Sequence, residues 1–146
     1  MLDTDKQFLQ SRPIIKSDLL CTPAALSHVK DLGENKFKDT LEIAFSACPH
    51  LLHLSQVYAK SDWSFIRTGK WQQGLDEIEA GFIKAAQASA TEEQLMRAIR
   101  QLRLHSNYVI ALSEILQFMT IEEACECLSK TASIAQVPCC LWSVIP

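Results

Sequence analysis

The stretch from Thr91 to Met119 contains neither glycine nor proline, and it constrains the fold more than any other feature. Thr91 stands where an N-cap belongs, and Gln94 three residues on completes a capping box. Glu92 and Glu93 lie at the positive end of the helix dipole. The spacing predicts one helix over about 91–118, some 42 Å long at ~1.5 Å per residue. In its first half Leu95, Ile99 and Leu102 share one face, while Arg97, Arg100 and Arg103 carry charge elsewhere. Its second half is apolar nearly all round: Tyr108, Val109, Ile110, Ala111, Leu112, Ile115, Leu116 and Phe118. A helix apolar on every side must be surrounded by other elements. That half is therefore expected at the centre of the fold.

The remaining chain reads as helices that could surround it. Thr22 and Pro23 suit the start of a helix carrying Leu26 and Val29 and ending at Gly33. A second helix is expected from about Asn35 to Ala47, carrying Phe37, Leu41 and Phe45. Pro49 breaks it and opens a third from His50 to Lys60, with Leu51, Leu54, Val57 and Tyr58 on one stripe. Ser61-Asp62 would cap a short helix through Trp63, Phe65 and Ile66, closed at Gly69. Another spans about Gln72 to Ala88, with Leu75, Ile78, Phe82 and Ala85 inward. Thr120 and Glu123 form a second capping box for a helix to about Gln136, which Pro138 is expected to stop. Only 4 glycines and 5 prolines occur, too few for the turns of an all-β fold. The expectation is an all-α, irregular helical bundle built around one long central helix. It comprises a loose lead-in over 1–20, a helical domain over 21–136 and an apolar non-helical tail over 137–146.

The charge balance of −3 gives no broad electrostatic footprint for nucleic acid. Uncharged apolar stretches fall short of the ~20 residues of a membrane helix. The acids at Asp3 and Asp5 occupy the place of a signal peptide's basic region, so a cytoplasmic setting is expected. Cysteines at 21, 48, 125, 127, 139 and 140 then read as reduced packing residues rather than disulfide partners.

No motif supplies a complete catalytic or metal site. Asp3-Thr4-Asp5 resembles a Mg²⁺-holding pair but lacks a glycine-rich approach for phosphates and reads as a solvated terminus. His50 and His53 share a helix face beside Cys48, with no fourth ligand nearby. Cys125 and Cys127 fall about 200° apart on a helix and cannot grip one ion; Cys139 and Cys140 would have to fold back to help. Arg97, Arg100 and Arg103, with His105, form a basic stretch suited to phosphate or carboxylate, or else a solvated face paired through Glu93. The candidate interaction residues are Arg97, Arg100, Arg103 and, in the uncharged tail, Leu141 and Trp142. Catalytic, cofactor-binding and metal-binding residues are none. The uncharged tail also predicts self-association.

Two segments carry a resemblance. One is Ala44-Phe45-Ser46-Ala47-Cys48-Pro49-His50-Leu51-Leu52-His53-Leu54. The other runs from Glu93-Gln94-Leu95-Met96-Arg97-Ala98-Ile99-Arg100-Gln101-Leu102-Arg103 into Val109-Ile110-Ala111-Leu112 and Leu116. In order and spacing they resemble the N-terminal helical region of bacterial glutamine synthetase adenylyltransferase, over roughly residues 40 to 136. The Thr120 helix stands where that family has a capped helix. His50 replaces a tyrosine-type position, Ser113-Glu114 replaces an acidic step, and residues 137–146 do not look like the family, which keeps a helix going there. The resemblance implies a nucleotidyltransferase that uses ATP and Mg²⁺ to move AMP on and off glutamine synthetase in nitrogen regulation. Its Gly-Ser motif and paired aspartates lie in a following core and have no counterparts here, so the expectation is an inactive, truncated segment. Its implied partners are glutamine synthetase and the missing core. The alternative is a stand-alone helical protein-interaction or scaffold module.

Overall fold

The computed structural model describes residues 21–144, with side chains described through residue 136. The expected lead-in over 1–20, with Asp3-Thr4-Asp5, lies outside the described residues, as do the side chains of Cys139, Cys140, Leu141 and Trp142. All regular structure among the described residues is helical: α1 (Pro23–Asp31), α2 (Lys38–Ala47), α3 (Pro49–Arg67), α4 (Trp71–Ala88), α5 (Glu92–Ile115) and α6 (Ile121–Val144). The chain divides into two compact units, Met1–Leu52 and His53–Pro146, where the sequence suggests a single domain over 21–136.

In the first unit α1 packs against α2. The Thr22 hydroxyl caps α1 by accepting from the Ala25 amide at 3.2 Å, as its sequence position predicts. Gly33 closes that end with φ +90°, a conformation glycine adopts freely. Ala25, Val29, Leu41 and Phe45 are buried, whereas Leu26, expected inward, is exposed. α2 starts at Lys38, later than the expected Asn35. The reason is local: the Asn35 side chain accepts from the Phe37 amide at 2.9 Å and donates to the Gly33 carbonyl at 3.0 Å. An asparagine bonded this way holds a turn instead of a helix. Cys48 is extended ahead of Pro49, as a residue preceding proline must be, so α2 ends and α3 begins.

The second unit is a bundle centred on α5, which packs against α4 on one side and α6 on another. Tyr108, Val109, Ile110, Leu112 and Leu116 are buried, whereas Ile115 of the same apolar half is exposed and Ala111 and Phe118 are half-buried, so that half of α5 is enclosed on most sides but not all. The expected break at Ser61-Asp62 does not occur, and α3 runs on to Arg67. The Ser61 hydroxyl instead donates back to the Tyr58 carbonyl at 3.0 Å, satisfied within the same helix. Val57 and Ala85, expected inward, face solvent.

α3 and α5 end in the same way. Gly69 donates to the Ile66 carbonyl at 3.1 Å and Lys70 to the Phe65 carbonyl at 2.8 Å, a Schellman closure with Gly69 at φ +75°. Gln117 donates to the Glu114 carbonyl at 3.0 Å and Phe118 to the Ser113 carbonyl at 2.9 Å. Here the left-handed position is filled by Gln117, at φ +64°, which stops α5 short of the expected Phe118. The two ends meet: the Trp71 indole N–H donates to the Phe118 carbonyl at 3.2 Å.

Thr120 and Glu123 form the expected reciprocal box, each side chain bonding the other's amide at 3.1 Å. At α5 the box is shifted. The Thr91 hydroxyl accepts from the Gln94 amide at 3.2 Å, while the Gln94 side chain accepts from Ala90 at 2.8 Å. α6 continues past Pro138 to Val144, so the expected non-helical tail is helical in its backbone as far as that residue. Proline removes its own amide from the ladder and crowds the carbonyl four residues back. A long helix can absorb that as a kink without ending.

Candidate functional site

A cluster of buried and half-buried polar side chains lies between α3 and α5. Ser55, Tyr58 and Asp62 lie at i, i+3 and i+7 on α3, and His105 and Tyr108 at i, i+3 on α5. Those spacings put each set on one helix face. Asp62 is buried at 4% exposure, and its Oδ2 is bonded to Nε2 of His105. The Tyr58 ring stacks on the His105 imidazole, 4.1 Å between centroids and 9° from parallel. Behind them the Tyr108 hydroxyl and the Ser55 hydroxyl are 3.1 Å apart, both wholly buried. Burial, and then the charge of Asp62, push the Tyr58 phenol above its ordinary value. Burial pushes Tyr108 well above the phenol range, against the opposing hydrogen bond from Ser55.

A cleft of about 270 Å³ opens beside this cluster, between α3, α4 and α5. Its polar lining is Ser61, Asp62, Glu77, Gln101 and His105. Its apolar wall includes Ile78, Phe82, Ala98 and Leu102. Asp62 anchors the imidazole through one nitrogen and so fixes the ring's orientation. Among the described residues no hydroxyl or thiol hydrogen-bonds to His105, so the pair positions and polarises without an attached nucleophile.

A second groove, between α4, α5 and α6, carries Asp76, Glu79, Glu123 and Glu126 over Trp71 and Leu75. Lys130 bridges it to Glu79 at 3.6 Å. Cys127 lies on its wall, its thiol pushed upward by burial and then by Glu123.

Arg97, Arg100 and Arg103 are exposed along α5. Arg97 pairs with Glu93 at 3.7 Å with both side chains mostly in solvent, a contact of little energetic weight. The structure separates His105 from this basic stretch and turns it inward to Asp62. His50, His53, Cys48 and Cys125 are exposed. Among the described residues no three His, Cys, Asp or Glu side chains group to hold a metal ion. No helix among them is long and apolar enough to cross a membrane.

The Asp62–His105 pair spans 43 residues and is the feature that the sequence motifs miss. Its one-dimensional signal is the polar stripe Ser55, Tyr58, Asp62 running at core spacing along α3. No protein-family model, curated protein or solved structure matches the chain.

Proposed function

We propose that this chain is the N-terminal helical segment of a glutamine synthetase adenylyltransferase/deadenylylase, a non-catalytic part of a cytoplasmic nitrogen-regulating enzyme. The observation that carries the reading is the order and spacing of its two motif segments. The first straddles the α2–α3 junction, with Pro49 at the start of α3; the second lies along α5. The course of α6 supports it further. The family keeps a helix where Pro138 would be expected to end one, and α6 continues to Val144.

On this reading the segment contributes surface and scaffold, not chemistry. Among the described residues no three His, Cys, Asp or Glu side chains group to hold a metal ion; on this reading the family's ATP and Mg²⁺ would be held by its nucleotidyltransferase core. Arg97, Arg100 and Arg103 would present a basic stripe to glutamine synthetase or to the core. The test supplies the chain in trans to a core lacking its own helical region. Transfer of labelled AMP from ATP to glutamine synthetase, and its phosphorolytic removal, are then measured. The chain alone should transfer nothing. With the core, the rate should rise, and Arg100→Glu with Arg103→Glu should reduce the gain. No change in rate, together with no binding to core or glutamine synthetase by calorimetry, would overturn the assignment.

A second reading is a stand-alone helical interaction module that can self-associate. Ile121 (70% exposed) and Leu128 (44%) favour it, one face of α6 that also carries Cys125 and Ala132. Light scattering of the full chain against one lacking residues 137–146 tests self-association through that end. The shortened chain should be more monodisperse, and an unchanged mass distribution would reject it.

A further inference from the structure

We propose that the cleft between α3, α4 and α5 is a binding site for a small organic cation, an ammonium or guanidinium group on an aliphatic stem. The inference stands without the family assignment, since it rests on the cleft alone.

Asp62 and Glu77 line the cleft, and among the described residues no lysine or arginine does. Asp62 is held in the protein interior, where a charge is poorly screened. Among the described residues its charged partner is His105. The Asp62 carboxylate lines the cleft, and Glu77 at the solvent-facing rim adds to the negative field there. A cation entering between them gains charge-assisted hydrogen bonds away from bulk water.

Ile78, Phe82, Ala98 and Leu102 make an apolar wall beside the carboxylates. Pockets that bind small molecules combine such walls with a few convergent polar groups. A volume of about 270 Å³ suits a guest the size of butylguanidinium.

Gly81 lies inside α4, where glycine weakens a helix relative to alanine. Gly74 in the same helix has a packing reason, because a Cβ there would come within 3.5 Å of Phe65. At Gly81 a Cβ would meet nothing within 4 Å. Gly81 lines the cleft, and a side chain there would extend into open space.

The experiment titrates the full-length chain with n-butylguanidinium and follows amide ¹H–¹⁵N resonances. Neutral n-butylurea, of matching shape, is the control. Saturable shifts in the millimolar range are expected at Asp62, Gly81 and His105, with the urea about tenfold weaker. Gly81→Leu fills the opening and should abolish binding while the helical circular dichroism persists. Glu77→Gln, at an exposed position that the fold does not depend on, should weaken binding severalfold. Absence of saturable shifts at the cleft would overturn the proposal. So would equal binding of the urea, which marks an apolar hole only, or Glu77→Gln binding as tightly as the parent.

Discussion

Replacing Gly69 with alanine adds one methyl group at the point where the ends of α3 and α5 meet. Two separate effects act there. Gly69 has φ +75°, and a residue with a Cβ is disfavoured in that region by about 1–2 kcal/mol. The new Cβ would also lie 3.0 Å from Cδ1 and 3.1 Å from Cε1 of Phe118. Overpacking of this kind costs about 1–3 kcal/mol where the neighbour cannot move. Phe118 is tethered by its amide to Ser113 and by its carbonyl to Trp71, but its ring is only half-buried and can give way in part. Alanine returns about 0.4–1 kcal/mol by narrowing the unfolded ensemble. The net expectation is a loss of about 2 kcal/mol, read by urea denaturation at 222 nm, with a melting temperature lower by about 5–10 °C. In a Phe118→Ala background the ring contact is gone, and Gly69→Ala should cost about 1 kcal/mol or less. The matching position at the end of α5 carries the opposite sign. Gln117 has φ +64°, so Gln117→Gly should stabilise by about 0.5 kcal/mol. A Gly69→Ala variant within about 0.5 kcal/mol of the parent would refute the backbone argument. An equal penalty in both backgrounds would refute the contact with Phe118.

Three further outcomes follow from buried groups. Tyr108→Phe should lose about 0.5–1 kcal/mol, the low half of the usual range because its 3.1 Å bond to Ser55 is long; coupling with Ser55→Ala in a double-mutant cycle checks it, and zero coupling would count against the bond. Burial holds the His28 imidazole below its ordinary 6.5, outweighing the opposing pull of Asp31. Below that value the unfolded chain binds more protons than the fold. Stability from this site is therefore complete above pH 6.5 and falls as pH drops through the folded value; His28→Gln should flatten that part of the stability profile, and an unchanged slope would contradict the assignment. Cys127, with its thiol raised by burial and by Glu123, should react with iodoacetamide more slowly than exposed Cys125 or Cys48 in peptide-resolved mass spectrometry, and equal rates would count against it.

Local physics was written in the amino-acid order. The Thr22 cap, the glycines at 33 and 69 and the Thr120–Glu123 box each act within a few residues, so their residue types alone specify them. The burial of residues 108–110 and 112 was equally legible, because residues 108–112 leave no polar side to face water, although Ile115 ends up exposed. Where the sequence reading erred locally, a competing short-range option prevailed. Asn35 formed a turn, Ser61 bonded backward within α3, and α6 passed Pro138.

The candidate site is different in kind. His105 sits in a basic stretch and Asp62 follows a serine as a helix cap would, so each has a plausible local role that the fold does not use. Their pairing depends on α3 and α5 being brought side by side across 43 residues of chain. Helical periodicity states which residues share a face but not which face meets which, since many apolar stripes pack acceptably against one another. The cleft beside the pair needs a third helix, with Gly81 turned toward it. The chain order therefore determined the local helical preferences, two of whose segments merged into α3, and the burial of most of the second half of α5. Only tertiary packing decided that a buried carboxylate, an imidazole and an open glycine share one cavity, because that requires three helices to meet and no single segment encodes it.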